Sequence, residues 1–215
     1  MKRLVLFLLF LPFLSIGQPQ STPIRISKIE IDSKKSFYFK EGDSIASIVI
    51  DSLIMKDKSQ LHFFGKKKVN FIINYAEIGK MCVISGGDNK NNGTELNLSV
   101  NLKQLNSLFI DVSGKDARSA NRRFDNGNGG IVTINYLATG IKPQTTDKRR
   151  SGYLAINNRG GGATVNPQND VSVLLGQIRN VSGRPLGQLP NGRIYSGNVG
   201  YNGKTIIKEV DKLLD

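Results

Sequence analysis

The segment from Asp111 to Asp125 holds the densest group of side chains that could do chemistry. Its sequence, DVSGKDARSANRRFD, combines Asp111, Asp116 and Asp125 with Arg122. Two carboxylates that face each other across a cleft can cleave a glycosidic bond, and an arginine could neutralise or deprotonate an acidic sugar. If these side chains converge, they indicate a polysaccharide lyase or a glycoside hydrolase that acts on acidic glycan. If they do not, the segment is a charged, solvated turn between two strands.

Other common catalytic chemistries find less support in the sequence. The chain contains one His, His62, and one Cys, Cys82, so we expect no metal site built from His or Cys ligands. His62 lies in QLHFF, and no G-x-S-x-G nucleophile elbow accompanies it, so we expect a structural or surface role for its ring. Cys82 lies in the apolar run MCVI and is expected to be buried. The sequence predicts no cofactor.

Basic residues outnumber acidic ones, and the formal net charge is +13. A surplus of this size favours acidic polysaccharide or another extracellular polyanion as a partner. Solvated turns and strand edges protected by Lys are the alternative explanation for each basic cluster. The candidate polyanion-binding residues are Lys66, Lys67, Lys68, Arg122, Arg123, Lys148, Arg149 and Arg150.

The elements that must position these residues are short strands. In ELNLSVNL, from Glu95 to Leu102, apolar and polar residues alternate, as in a half-buried strand. Similar runs recur about every 12 residues, so two steps make about 25 residues, a length typical of solenoid repeats. Gly- and Asn-rich turns separate them and suit sharp corners. The pattern predicts an all-β protein with a β-helix-like solenoid, and an antiparallel β-sandwich is the alternative.

The predicted strands cover most of the chain before residue 157 and one segment after it. They are Ile24–Asp32, Ser36–Phe39, Ala46–Ile54, Gln60–Phe64, Val69–Tyr75, Met81–Ser85, Glu95–Leu102, Ser107–Ser113, Gly130–Leu137, Tyr153–Ile156 and Val171–Ile178. In the last segment, Thr205–Asp215, the apolar residues fall on one helical face. We therefore expect a short C-terminal helix that closes the end of the solenoid.

The N-terminus has the organisation of a secretory signal peptide. A basic start is followed by the apolar run LVLFLLFLPFL and by the small residues Ser15 and Gly17, at the third and first positions before the cut, which predicts cleavage near Gly17-Gln18. The expected organisation is a signal peptide over 1–17, a β-rich core domain over 18–137, a basic loop or linker over 138–152 and a Gly-rich β region with the helix over 153–215. The expected location is secreted, periplasmic or at the cell surface, and no membrane span is expected after cleavage.

Strands that alternate with GG-containing turns from Ile45 to Tyr136 resemble secreted, Gly-rich bacterial proteins of the right-handed parallel β-helix, or pectin-lyase-like, type. The resemblance implies the fold more than the activity, because such proteins include polysaccharide lyases and hydrolases as well as adhesins. The leading expectation is a secreted, non-enzymatic structural or adhesive protein with a weak preference for anionic surface polymers. The alternative is the acidic-glycan lyase or hydrolase described above.

Overall fold

The computed structural model describes residues 23–40, 42–121, 123–162, 167–179 and 199–213. The predicted signal peptide and Arg122 lie outside these ranges. The elements in chain order are β1 Ile24–Ile31, β2 Ser36–Phe39, β3 Ile45–Met55, β4 Gln60–Phe64, β5 Lys68–Ile78, β6 Cys82–Gly87, β7 Glu95–Leu105, β8 Ser107–Asp111, β9 Val132–Leu137, β10 Tyr153–Asn157, α1 Pro167–Arg179 and β11 Thr205–Val210.

The strands form two sheets that the chain visits in turn. Sheet A has the order β1-β3-β5-β7-β9-β11, and sheet B has the order β10-β8-β6-β4-β2. All pairings between these strands are parallel. The chain therefore winds as a β-solenoid, which confirms the predicted fold. An antiparallel sandwich would instead pair successive strands in opposite directions.

The strand register gives the length of each coil. Ile45 pairs with Lys68, a step of 23 residues, and Lys68 pairs with Glu95, a step of 27 residues. These steps agree with the repeat of about 25 residues expected from the sequence. The next step in sheet A, from Leu96 to Val132, is 36 residues, because the long Gly-containing segment 112–131 connects β8 of sheet B to β9 of sheet A.

The core lies between the sheets and is filled mainly by alternate residues of β3 to β9. Its members include Ile50, Leu53, Leu61 and Leu96, all fully buried. At one end, the rings of Phe39, Phe63 and Phe71 stack face to face or edge to face, with centroids 5.2–6.5 Å apart. This alternation is what the polar and apolar pattern of the sequence predicted.

Extended glycine-containing segments outside the named strands pack backbone to backbone beside the sheets. Gly127 donates its N–H to the carbonyl of Lys115, and Gly93 donates to that of Asn128, each at 2.8–2.9 Å. A Cβ at either glycine would lie 1.7 Å from a neighbouring carbonyl oxygen. Glycine is therefore required here because the backbones approach too closely for any side chain.

The predicted C-terminal helix is wrong. Residues Thr205–Val210 form β11 instead, and they pair in parallel with Val132–Leu137 of β9. Ile206, Ile207 and Val210 are β-branched and favour a strand, and the edge of β9 supplies backbone hydrogen-bond partners for one. An isolated helix of this length would be only marginally stable.

The predicted strand Val171–Ile178 is also wrong, because α1 spans Pro167–Arg179. Apolar residues at 171, 174, 175 and 178 follow the helical spacing i, i+3, i+4, i+7, and a proline is favourable in the first turn. Among the described residues, no helix is long and apolar enough to cross a membrane.

Candidate functional site on the outer face of sheet B

The outer face of sheet B carries a continuous row of polar side chains. Parallel strands in register place equivalent residues beside one another, about 4.8 Å apart. One such row crosses all five strands of the sheet, and we call it the polar row. Its members are Tyr38, His62, Ser85, Asp111 and Asn157.

His62 occupies the centre of a short hydrogen-bonded chain. Its Nδ1 lies 2.7 Å from Ser85 Oγ on the next strand, and its Nε2 lies 3.0 Å from Gln60 Oε1 on its own strand. An amide oxygen only accepts hydrogen bonds, so in this arrangement Nε2 carries the proton and Nδ1 accepts the hydroxyl proton of Ser85. The ring of Tyr38 stacks on His62 with centroids 4.9 Å apart and holds the imidazole in its orientation.

Partial burial lowers the pKa of His62 below its ordinary value of 6.5, because desolvation disfavours the charged ring. At neutral pH the uncharged imidazole therefore predominates, and its Nδ1 is able to take up a proton. The two ring contacts and the neutral state are together the arrangement expected of a general base.

Asp111 occupies the next position in the polar row after Ser85. Its Oδ1 accepts hydrogen bonds from the N–H and hydroxyl of Ser113, at 3.1 and 2.7 Å, and from Asn157 Nδ2 at 3.1 Å. These donors fix the carboxylate at the end of β8. Asp111 can therefore present an anion, or accept hydrogen bonds from a ligand, in a defined position.

A concave site of about 130 Å³, which we call the polar groove, lies along this row. Lys115 lines it and places its ammonium group 5.6 Å from the centroid of the Phe64 ring. The groove therefore combines an imidazole, a hydroxyl, carboxylates and an ammonium group beside an aromatic ring. Its lining residues are His62, Phe63, Phe64, Ser85, Gly86, Gly87, Asp88, Asp111, Ser113 and Lys115.

A larger concavity of about 440 Å³, the apolar groove, lies on the same sheet face. Val83 and Phe109 line it and are in register with Gln60, one row away from the polar row. Phe109 is 41% exposed, and Lys148 from the basic loop reaches the same groove. The remaining lining residues are Met81, Ser107, Leu108, Tyr153 and Ala155.

The predicted carboxylates do not all line the polar groove. Asp111 lines it, whereas Asp116 accepts a hydrogen bond from the Arg118 N–H at 2.8 Å and begins the turn that follows. The carbonyl of Asp125 accepts a hydrogen bond from Asn91 Nδ2 at 3.0 Å. Arg122 lies outside the described residues, so the predicted glycan-cleaving group stays a prediction.

The predicted polyanion-binding residues differ in exposure. Lys66 is buried, and its ammonium group donates to the carbonyl of Asp43 at 2.8 Å. Lys68 forms an ion pair with Glu95 at 2.7 Å. The exposed members of the set among the described residues are Lys67, Arg123, Lys148, Arg149 and Arg150.

Sequence reasoning missed the contact between His62 and Ser85. The signal that could have found it is the coil length, because a step of 23 residues from His62 leads to Ser85. Across the described parts of the chain, no three His, Cys, Asp or Glu side chains group as a metal site would require.

Comparisons with known proteins leave the geometry as the basis for any functional conclusion. No family model matches the chain, no curated protein matches it significantly in sequence, and no solved structure gives a significant match.

Proposed function

We propose that this protein is an exported carbohydrate-binding protein with a weak preference for acidic polysaccharides, which it holds on the outer face of sheet B. The observation that carries the proposal is the combination of exposed aromatic rings and hydrogen-bonding side chains on this one face. Tyr38, Phe64 and Phe109 are 48%, 55% and 41% exposed. Flat apolar rings beside polar groups suit a pyranose, which has apolar ring faces and a rim of hydroxyl groups.

The polar row supports the proposal because it offers both donors and acceptors to hydroxyl groups. The carboxylate of Asp111 accepts hydrogen bonds, and Lys115 donates them from the same groove. Neighbouring strands place a different polar side chain at each step of a constant spacing, so the face is suited to an extended polymer better than to a compact molecule.

The preference for acidic polymers is supported by the basic loop and by the net charge. Lys148 lines the apolar groove, and Arg149 and Arg150 are exposed beside it in sequence. The loop is held in shape by Gln144, whose Oε1 accepts hydrogen bonds from the N–H groups of Thr146 and Asp147 at 2.9 and 2.8 Å. The preference is weak because Asp88 and Asp111 in the polar groove offset part of the positive charge.

Binding of the mature chain to polygalacturonate, alginate and neutral dextran, measured by titration calorimetry, tests the proposal. We expect binding to the acidic polymers that weakens as salt is added. Phe109→Ala and Lys148→Ala should each weaken it by up to about 10-fold, since one aromatic or charged contact contributes roughly 1 kcal/mol.

The matched control is Lys103→Ala, which removes an exposed lysine from β7 of sheet A. Equal losses for Lys103→Ala and Lys148→Ala would mean that net charge alone attracts the polymer. No binding to any of the three polymers would overturn the proposal.

A further inference from the structure

The hydrogen-bonded chain Ser85–His62–Gln60 contains more than a binding surface requires. A hydroxyl on a strand face can bind a sugar without a neutral imidazole at 2.7 Å. The second nitrogen of the imidazole lies 3.0 Å from an acceptor, Gln60 Oε1. Together the three residues have the arrangement of an activated nucleophile: a hydroxyl, a base and a group that orients the base.

We infer that Ser85, His62 and Gln60 form a nucleophilic relay that hydrolyses O-acyl esters, such as acetyl groups carried by a polysaccharide. The choice of a polysaccharide as the alcohol part rests on the proposed function, whereas the relay itself does not. Ser85 and His62 are the catalytic residues, and Gln60 is a positioning residue that fixes the tautomer of His62.

The reaction is balanced as a two-step hydrolysis. Ser85 Oγ attacks the ester carbonyl carbon while His62 Nδ1 accepts the hydroxyl proton, and the C–O bond to the sugar breaks as Nδ1 returns that proton to the departing alkoxide. Water then attacks the acyl-serine, giving its proton to Nδ1. Breakage of the acyl–Oγ bond releases the carboxylic acid, and the proton passes from Nδ1 to Ser85.

Accessibility supports this role for Ser85. Its side chain is half-buried and lines the polar groove, as does His62. Lys115 lines the same groove and can place positive charge near the oxygen that becomes negative during attack. Gly86 and Gly87 follow Ser85 directly and also line the groove, so neither adds a side chain of its own beside the hydroxyl.

Hydrolysis of 4-nitrophenyl acetate by the mature chain tests the relay, because this small ester does not depend on polysaccharide binding. We expect Ser85→Ala and His62→Ala each to lower the rate by on the order of 100-fold, and Ser47→Ala on sheet A to leave it unchanged. A fluorophosphonate probe should label Ser85, and peptide mass spectrometry locates the label. Circular dichroism of each variant checks that it is folded.

Each result has a defined meaning. Activity retained by folded Ser85→Ala but lost in His62→Ala would make the imidazole itself the nucleophile and overturn the relay. Absence of both hydrolysis and labelling in the unaltered chain would overturn it as well. If hydrolysis depends on Ser85 but no polymer binds, the relay stands and the proposed binding function fails. If polymers bind and no ester is cleaved, the binding function stands and the relay fails.

Discussion

His62 and Ser85 are 23 residues apart in the chain, yet Nδ1 of one lies 2.7 Å from Oγ of the other. They occupy the same register position on β4 and β6, so the solenoid itself creates the contact. Two residues far apart in sequence thus become hydrogen-bonded neighbours on the outer face of sheet B.

The single histidine gives a direct test of its environment. We expect His62 to titrate below 6.5, because partial burial lowers its pKa. Between the native pKa and 6.5, the unfolded chain then binds more protons than the native state. The free energy of unfolding therefore rises with increasing pH across that window, and it falls when the pH is lowered and the ring becomes protonated. Proton NMR of the one imidazole measures the pKa, and urea unfolding at several pH values measures the stability.

Gln60→Glu should raise the pKa of His62, because a carboxylate beside Nε2 stabilises the imidazolium. The acidic limb of the pH profile for ester hydrolysis should move to higher pH. The other titratable groups around the ring, Tyr38, Asp88, Asp111 and Lys115, are unchanged in this variant.

Gln104→Glu is the control for Gln60→Glu, since it adds the same charge to β7 of sheet A. An equal shift of the pH profile in both variants would show that net charge, and not contact with Nε2, sets the pKa of His62.

Phe63 and Phe64 are neighbours with opposite roles. Phe63 is 2% exposed and packs in the aromatic end of the core, whereas Phe64 is 55% exposed on the outer face. Phe63→Ala should lower the free energy of unfolding by about 3–5 kcal/mol. Phe64→Ala should change it by about 1 kcal/mol or less and should instead weaken polysaccharide binding. Similar losses of unfolding free energy for Phe63→Ala and Phe64→Ala, measured by urea unfolding, would contradict the assignment of Phe63 to the core and Phe64 to the outer face.

Gly127→Ala tests the close packing of the glycine-containing segments. The added Cβ would lie 1.7 Å from the carbonyl oxygen of Asn91, so we expect a loss of roughly 3 kcal/mol or more in thermal or urea unfolding. Gly176→Ala is the control, because nothing lies within 4 Å of its added Cβ in α1. That variant should be neutral or gain up to about 1 kcal/mol.

Cys82 should react with thiol reagents only after unfolding. Its side chain is fully buried, and its Sγ lies 3.2 Å from the carbonyl of Lys56. Burial raises the pKa of this thiol, so little thiolate forms at neutral pH. Rapid labelling of the native chain by a disulfide reagent at neutral pH would show that the strand pairing around β6 opens readily.

Much of the fold could be predicted from the sequence because the signals are local. The alternation in Glu95–Leu102 fixes which side chains face inward, and the repeat length predicts stacked coils. The helix predicted for Thr205–Asp215 is wrong because the apolar residues there satisfy a helical stripe, while the edge of β9 that favours a strand lies about 70 residues away in the chain.

By itself, the sequence determined the short alternating strands, the expected burial of Cys82 and the excess of positive charge, since each follows from composition or from spacing along one strand. The choice of a β-solenoid over a β-sandwich needed the parallel strand pairing of the structure. Only the tertiary structure decided which polar groups meet. In the structure Asp111 lines the polar groove, the side chain of Lys66 is buried, and the hydroxyl of Ser85 contacts the imidazole of His62. The physical reason is that contacts between coils depend on register, and turns of different length change the register without changing the pattern of any strand.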